Sequence, residues 1–378
     1  MVFLVNLGRV VFAPLLEPLQ VAFEVNAGAV GFVASAAWIG SALPRIPTGW
    51  LLTKYPRQHV ILASGGVLTA ASLLAPMANR IPTLAFGAFL MGLASGSYFI
   101  AANPLVSELF PDRVGRMMGT HGMSSQLGAV AASFIVIAAL RVGTWRTTFY
   151  WMATAALLST LLFAVLARRA ELPSAGTADR ALLEAIRAQW RIVLTGVLVV
   201  GATGFVWQGV FNFYDSYMIA KGLTQSQGQL LLSVLFAAGV PAFFIIGRLA
   251  DRLPLVPLLL SVIGSFVLSI LLLTVVEGLY AVVAVTLLVG FAIHGLFPAA
   301  DTYLLASLPD RHRASAYAAY SASMMVIQAG GSWAVGTLTD MQLHYDVIFQ
   351  GFAIGLAAVL VTLLFAHRAG HLPARARA

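Results

Sequence analysis

The chain has 378 residues, of which 60% are hydrophobic and 10% charged, with a formal net charge of +8. An ordinary soluble domain carries about 25% charged residues, so this composition excludes a soluble globular protein, and apolar runs point to a multi-pass membrane protein. The chain contains no cysteine, which removes disulfides and thiolate metal sites.

Apolar stretches long enough to cross a bilayer recur along the whole chain. They are expected at 2–23, 28–53, 58–78, 82–108, 117–140, 147–167, 191–219, 229–249, 255–276, 279–306, 315–336 and 347–366. The fold class is therefore an all-α membrane protein of twelve transmembrane helices. Twelve spans of about 20 residues take up about 240 residues, leaving only short loops, one linker and a tail. The N-terminus, MVFLVNLGRVVFAPLLEPL, lacks a basic leader and a small-residue cleavage site. It is read as the first span and not as a signal peptide, with a short tail expected upstream.

Ionisable groups inside spans are costly, by about 2.5–3.5 kcal/mol at mid-membrane, and usually face a cavity or a partner. In the first span Arg9 either lines a cavity or snorkels to the surface, and Glu17 lies toward the outer end. In the second span Arg45 lies nine residues before Lys54, about 13 Å deeper, and shares a helix face with Ser41 and Thr48. The fourth span carries Asn103 and ends in Glu108; Gly92 and Gly96 form a small-residue pair suited to close packing. His121, at the start of the fifth span, reads as interfacial.

The linker 168–190 is expected to end in an amphipathic helix from Asp179, lying at the membrane surface. The seventh span places Gln208, Asn212 and Asp215 among aromatic residues in FVWQGVFNFYDSY. Asp215 is either buried with them or interfacial, with the tyrosines in the aromatic belt. In the tenth span His294 and Asp301 are seven residues apart, two turns along much the same face, with Tyr303 close by. That arrangement resembles a proton relay. The eleventh span presents a stripe of Tyr317, Ser321, Met324 and Gln328 as a cavity wall.

With this span order, sixteen Lys and Arg residues fall on the side of the linker and four, Arg80, Arg141, Arg146 and Lys221, on the other. The positive-inside rule then sets both termini in the cytoplasm of a plasma-membrane protein. The positive charge orients the protein against lipid headgroups, and no nucleic-acid partner is implied.

An internal repeat is visible. GWLLTKYP at 49–56 matches GRLADRLP at 247–254, an offset of 198 residues (247 − 49). The same offset relates Pro111-Asp112-Arg113 to Pro309-Asp310-Arg311, Glu17 to Asp215, and Asn103 to Asp301. The chain divides into a half at 1–167, the linker 168–190, a half at 191–366 and a cytoplasmic tail 367–378. Six spans per half place the halves the same way up, as parallel repeats.

These motifs resemble the signature of the major facilitator superfamily, Gly-x-Leu-Ala-Asp-Arg-x-Gly-Arg. The second half matches it at Gly247, Leu249, Ala250, Asp251 and Arg252, and the first half at Gly49, Leu51, Lys54 and Arg57. Thr53 stands where the family has Asp, and Pro56 where it has Gly. The resemblance implies a secondary transporter, not an enzyme, without cofactors or metals, acting as a monomer. It also implies that the motif loops, together with Glu108, Arg113 and Arg311, latch the cytoplasmic side. A loose similarity of GRVVFAPLLEP to anion carriers of the family concerns Arg9.

No nucleotide-binding glycine loop is present, so an ion gradient is the expected driving force. Protons would be carried by Glu17, Asp215, His294 and Asp301, while Arg9 and Arg45 would attract a small organic anion. A drug or cation antiporter is the alternative within the class. It is weakened because the fifth span lacks Gly-Pro and Ala88 occupies the arginine place of the fourth. A non-transporting sensor or assembly protein is the alternative from another class.

Overall fold

The computed structural model describes residues 1–110, 114–170, 182–308 and 310–370. Among these residues every regular element is helical, because a chain in hydrocarbon must satisfy each backbone group within its own segment or in a closed barrel. The chain separates into two compact units, Met1–Asp179 and Arg180–Ala378.

In the first unit the helices run α1 (Val2–Val10), α2 (Leu16–Phe23), α3 (Ala27–Ala42), α4 (Arg45–Lys54), α5 (Arg57–Leu74), α6 (Ile81–Leu109), α7 (Val114–Val142) and α8 (Trp145–Arg169). The first span is a broken helix: α1 and the following Ala13–Phe23 segment meet at 43°. Pro14 sits in a short 3-10 turn between them, and a proline lacks the N–H that would continue the helix ladder. Loop ends are fixed by side-chain caps: Asn26 accepts from Ala29 N at 3.1 Å, and Thr144 and Thr147 form a capping box on α8.

In the second unit the helices are α9 (Leu182–Gly196), α10 (Ala202–Asn212), α11 (Tyr214–Ala220), α12 (Gln225–Ala237), α13 (Gly239–Arg252), α14 (Leu255–Val275), α15 (Leu279–Ser307), α16 (Asp310–Asp340) and α17 (Tyr345–Arg368). The end of the linker and the seventh span form one path: α9 is kinked at Gln189 and passes through a π-helical stretch, Val197–Gly201, into α10. That path breaks again at Phe213. No proline causes this break. Instead the Asn212 side chain donates to Gln208 O at 2.9 Å, a local bond that competes with the helix ladder.

The two units repeat each other at the predicted offset. α6 and α15 start and end 198 residues apart (279 − 81, 307 − 109), α3 and α12 start 198 apart, and α4 and α13 end 198 apart. The breaks of spans one and seven also correspond, at Leu15 and Phe213. So does a helix contact. A Cβ on Gly92 would run into the carbonyl of Ala37, and one on Gly290 into that of Leu235. Both pairs are related by the same offset, and both let two backbones touch. Gly96 does the same against Ser41 O.

Among the described residues ten helices are long and apolar enough to cross a membrane, and the bent first pair makes eleven. The remaining expected span, 315–336, lies within α16, a 31-residue helix. Its polar and small residues, among them Ser321, Gln328 and Gly331, lower its apolarity below that of the other spans. Outer faces are apolar and exposed, as on α8, where Leu157, Leu158, Leu161, Leu162 and Leu166 stand clear of the protein interior. Such a surface is suited to lipid.

Candidate functional site

Three spans of the first unit meet at Arg9, and a fourth holds one of its partners. Its guanidinium is buried and lies over the rings of Trp38, 4.7 Å from the centroid, and Phe99, 5.1 Å. Nη2 donates to Asn6 Oδ1 one turn back on α1, and Nη1 reaches Ser41 Oγ of α3 at 3.5 Å, the outer limit of a hydrogen bond. Nε is buried without a partner. Asn6 is itself held by α7, donating Nδ2 to Ser125 O at 2.7 Å.

Arg45, half-buried at the start of α4, donates Nε to Ser41 O at 3.3 Å, so Ser41 serves both arginines. Their charges repel each other. No carboxylate forms an ion pair with Arg9 among the described residues. Cation–π contact with two rings offsets part of the desolvation cost, by about 2 kcal/mol where water is excluded. The site is therefore positively charged, ring-walled and without an acidic partner for Arg9.

Tyr98 and His121 extend this wall. Tyr98 Oη lies 3.2 Å from His121 Nε2, their rings stack at 5.9 Å, and Phe99 meets both edge-on. His121 is thus packed on the aromatic residues of α6. Thr48, expected on the Ser41–Arg45 face, is buried and bonds Ser97 Oγ at 3.2 Å. Glu17 is half-buried in the first turn of α2, away from these contacts. Asn103 is half-buried on α6, with Oδ1 sealed in and unpartnered.

In the second unit Asn212 Nδ2 donates to Gln208 Oε1 at 3.1 Å and to Ser332 Oγ of α16 at 2.8 Å. This leaves a buried donor, Gln208 Nε2, and a buried acceptor, Asn212 Oδ1, without partners. Gln328 on α16 donates to Val200 O at 3.1 Å, tying that helix to the π-helical stretch. Asp215 is fully buried, with its carboxylate set against Gly228 of α12. The neighbouring tyrosines are also buried: Tyr214 bonds Thr286, and Tyr217 donates to Asp346 on α17. Of the two alternatives for this segment, burial is the one observed. Lys221, 3.7 Å from Asp346 and 3.1 Å from Val276 O, completes a polar cluster at the end of α11.

His294 and Asp301 do not meet. His294 bonds its own helix at Gly290 O, 2.7 Å away, and is walled by Trp207, Phe236 and Phe243. Asp301 accepts from Tyr317 Oη at 2.9 Å. Seven residues of helix separate the two by about 10 Å along the axis, and no hydrogen bond bridges them. Tyr303 is buried nearby. Of the motif residues, Gly49 is buried, Arg57 half-buried and Lys54 exposed over the Trp50 ring at 4.1 Å; Gly247 and Arg252 close α13. Arg113 and the side chains of Glu108, Asp251 and Arg311 lie outside the described residues.

Asn6, Trp38, Tyr98 and Phe99 were not singled out from sequence. A signal for two of them existed: Asn6 precedes Arg9 by three residues, and Trp38 precedes Ser41 by three, spacings that share a helix face.

The family model of the Major Facilitator Superfamily matches residues 1–273 and 200–377, which between them span nearly the whole chain. The chain belongs to the Major Facilitator Superfamily. A D-xylose–proton symporter of known structure superposes with a TM-score of 0.79 at 14% identity, covering 96% of this chain and 94% of its own. The putative niacin/nicotinamide transporter NiaP of Bacillus subtilis is 21% identical over 366 residues, 93% of this chain and 89% of that protein. The galactose–proton symporter of Escherichia coli is 24% identical over 144 residues. That match covers 38% of this chain and 30% of the symporter. This superfamily member is a multi-pass membrane transporter and not an enzyme, with helices repeated in two halves and consistent with a twelve-span fold.

Proposed function

We propose that the protein is a proton-coupled carrier of a small organic anion, working by alternating access in the plasma membrane. The observation that carries this reading is Arg9: a buried cation between two rings, next to a second arginine and without an acidic partner. A buried charge left uncompensated is expensive. An incoming carboxylate would supply the missing counter-charge and could engage the unpartnered Nε together with Nη2, the bidentate geometry arginine favours.

Proton coupling is supported by buried or half-buried acids in both units, Glu17, Asp215 and Asp301, and by the relatives named as proton symporters. The anion class agrees with the name of the niacin/nicotinamide relative. The charge bias of the loops supports cytoplasmic termini. The segment 168–190 is proposed as a cytoplasmic linker between halves 1–167 and 191–366, with 367–378 as tail. Gly49, Lys54, Arg57, Gly247 and Arg252, together with Glu108, Arg113, Asp251 and Arg311, are proposed as a cytoplasmic latch of a monomeric carrier.

Counterflow in proteoliposomes tests the reading. Labelled nicotinate is expected to exchange, faster with an inward proton gradient, and to stop exchanging in Arg9→Gln. Exchange of D-galactose or D-xylose without nicotinate would replace the anion with a sugar. Nicotinate exchange that ignores the pH gradient would remove proton coupling.

A further inference from the structure

Two neighbouring rings in the second unit carry polar atoms that make no hydrogen bond among the described residues. His294 on α15 is 3% exposed and Trp207 on α10 is 4% exposed. Their centroids are 5.3 Å apart and the rings meet edge to face. A carbonyl only accepts, so the 2.7 Å contact with Gly290 O places the proton of the neutral imidazole on Nδ1. Nε2 is then left with a free lone pair. Among the described residues neither His294 Nε2 nor the Trp207 indole N–H makes a hydrogen bond, and each residue keeps a small exposed fraction.

Further rings stand close by. Phe236 stands 5.6 Å from both rings, and Phe243 stands 6.3 Å from His294. On the side of α13 the imidazole lies against Gly239, where a Cβ would press into the ring. The result is an acceptor and a donor on adjoining rings in an aromatic box.

We infer that this box receives a neutral hydrogen-bonding group of the transported solute, a hydroxyl or a carboxamide carried on a flat apolar ring. Such a group donates to His294 Nε2 and accepts from the Trp207 N–H, while its ring packs on the aromatic walls. A carboxylate has no proton to give Nε2, and an ammonium has no lone pair for the indole. The inference rests on the reading of the protein as a carrier.

The test uses the purified full chain in nanodiscs and ligand-observed NMR titrations with two probe pairs. The first pair is 4-hydroxybenzoate and 4-methoxybenzoate, and the second, uncharged, is benzamide and N,N-dimethylbenzamide. The first member of each pair carries a donor that the second lacks. The wild type is expected to bind the donor-bearing member about ten-fold more tightly. His294→Phe should erase that preference and leave the other member unaffected, whereas His294→Gln, which retains an acceptor, should keep most of it. Trp207→Phe should weaken both benzamides alike, because both carbonyls accept from the indole.

Equal binding within each pair, a preference that survives His294→Phe, no effect of Trp207→Phe, or no binding of any probe overturns the proposal. If the benzoates do not bind but benzamide is preferred through His294, the anion reading falls and the box stands. If the benzoates bind without preference, the reverse holds.

Discussion

Arg9→Met separates a binding arginine from a structural one. Removing the charge releases the desolvation burden of a cation within a span, about 3 kcal/mol. Against that stand the charge-assisted bond to Asn6, about 1.5–3 kcal/mol, and the contacts with Trp38 and Phe99, about 1–2 kcal/mol. The 3.5 Å contact to Ser41 adds little. These terms nearly cancel, and methionine fills the ring-lined space with a flexible apolar chain. The expected change in stability is therefore within about 1–2 kcal/mol of zero, a melting shift of a few degrees. Exchange of nicotinate should fall at least a hundred-fold, because its counter-charge is gone. The assay is a thermal melt of the purified protein beside counterflow on the same preparation. A drop in melting temperature of more than about 10 °C with transport intact would show that Arg9 serves the fold and that the reading of its missing counter-ion is mistaken.

Gly92→Val and Gly290→Val are expected to destabilise by similar amounts, each more than about 3 kcal/mol, since each Cβ meets a carbonyl of the facing helix. Gly66→Ala, whose Cβ meets nothing, should be neutral or stabilising by about 0.5–1 kcal/mol in a melt. Tyr217→Phe and Asp346→Asn should each lower stability by about 1 kcal/mol, reduced from the value of a buried charged hydrogen bond because Asp346 is half exposed. A double-mutant cycle should show coupling, and additive losses would mean that the contact contributes nothing. Because the chain has no cysteine, Lys54→Cys and Lys221→Cys can be labelled singly with an impermeant maleimide. Lys54→Cys should react only in inside-out vesicles and Lys221→Cys only in right-side-out ones; the opposite pattern would invert the topology.

Much of the architecture was readable because spans must be long and apolar and because a duplicated bundle leaves the same motif twice. Gly92 and Gly290 show how far this goes: a sequence offset reappears as the same backbone contact. The site was less readable, for a physical reason. Arg9 was visible as a charge in the wrong solvent, but its partners come from α1, α3 and α6, and no pattern local to one helix places Trp38 beside Phe99. His294 and Asp301 show another limit of a local pattern. Helical spacing put them on one face, but seven residues of rise keep them apart, and Gly239 admits the imidazole sideways into the rings of α10 and α12.

The break at Phe213 carries the last step. In the first unit a proline interrupts the opening span, whereas at the corresponding place in the second the interruption coincides with Asn212, whose side chain reaches back to the Gln208 carbonyl. The shape is repeated while its chemical cause is not. A proline break is apolar and adds no hydrogen-bonding side chain. The asparagine break leaves Asn212 Oδ1 and Gln208 Nε2 unpartnered at the bend. One repeat therefore presents a cation at its broken span and the other neutral donors and acceptors. The two repeats are therefore chemically different at equivalent positions.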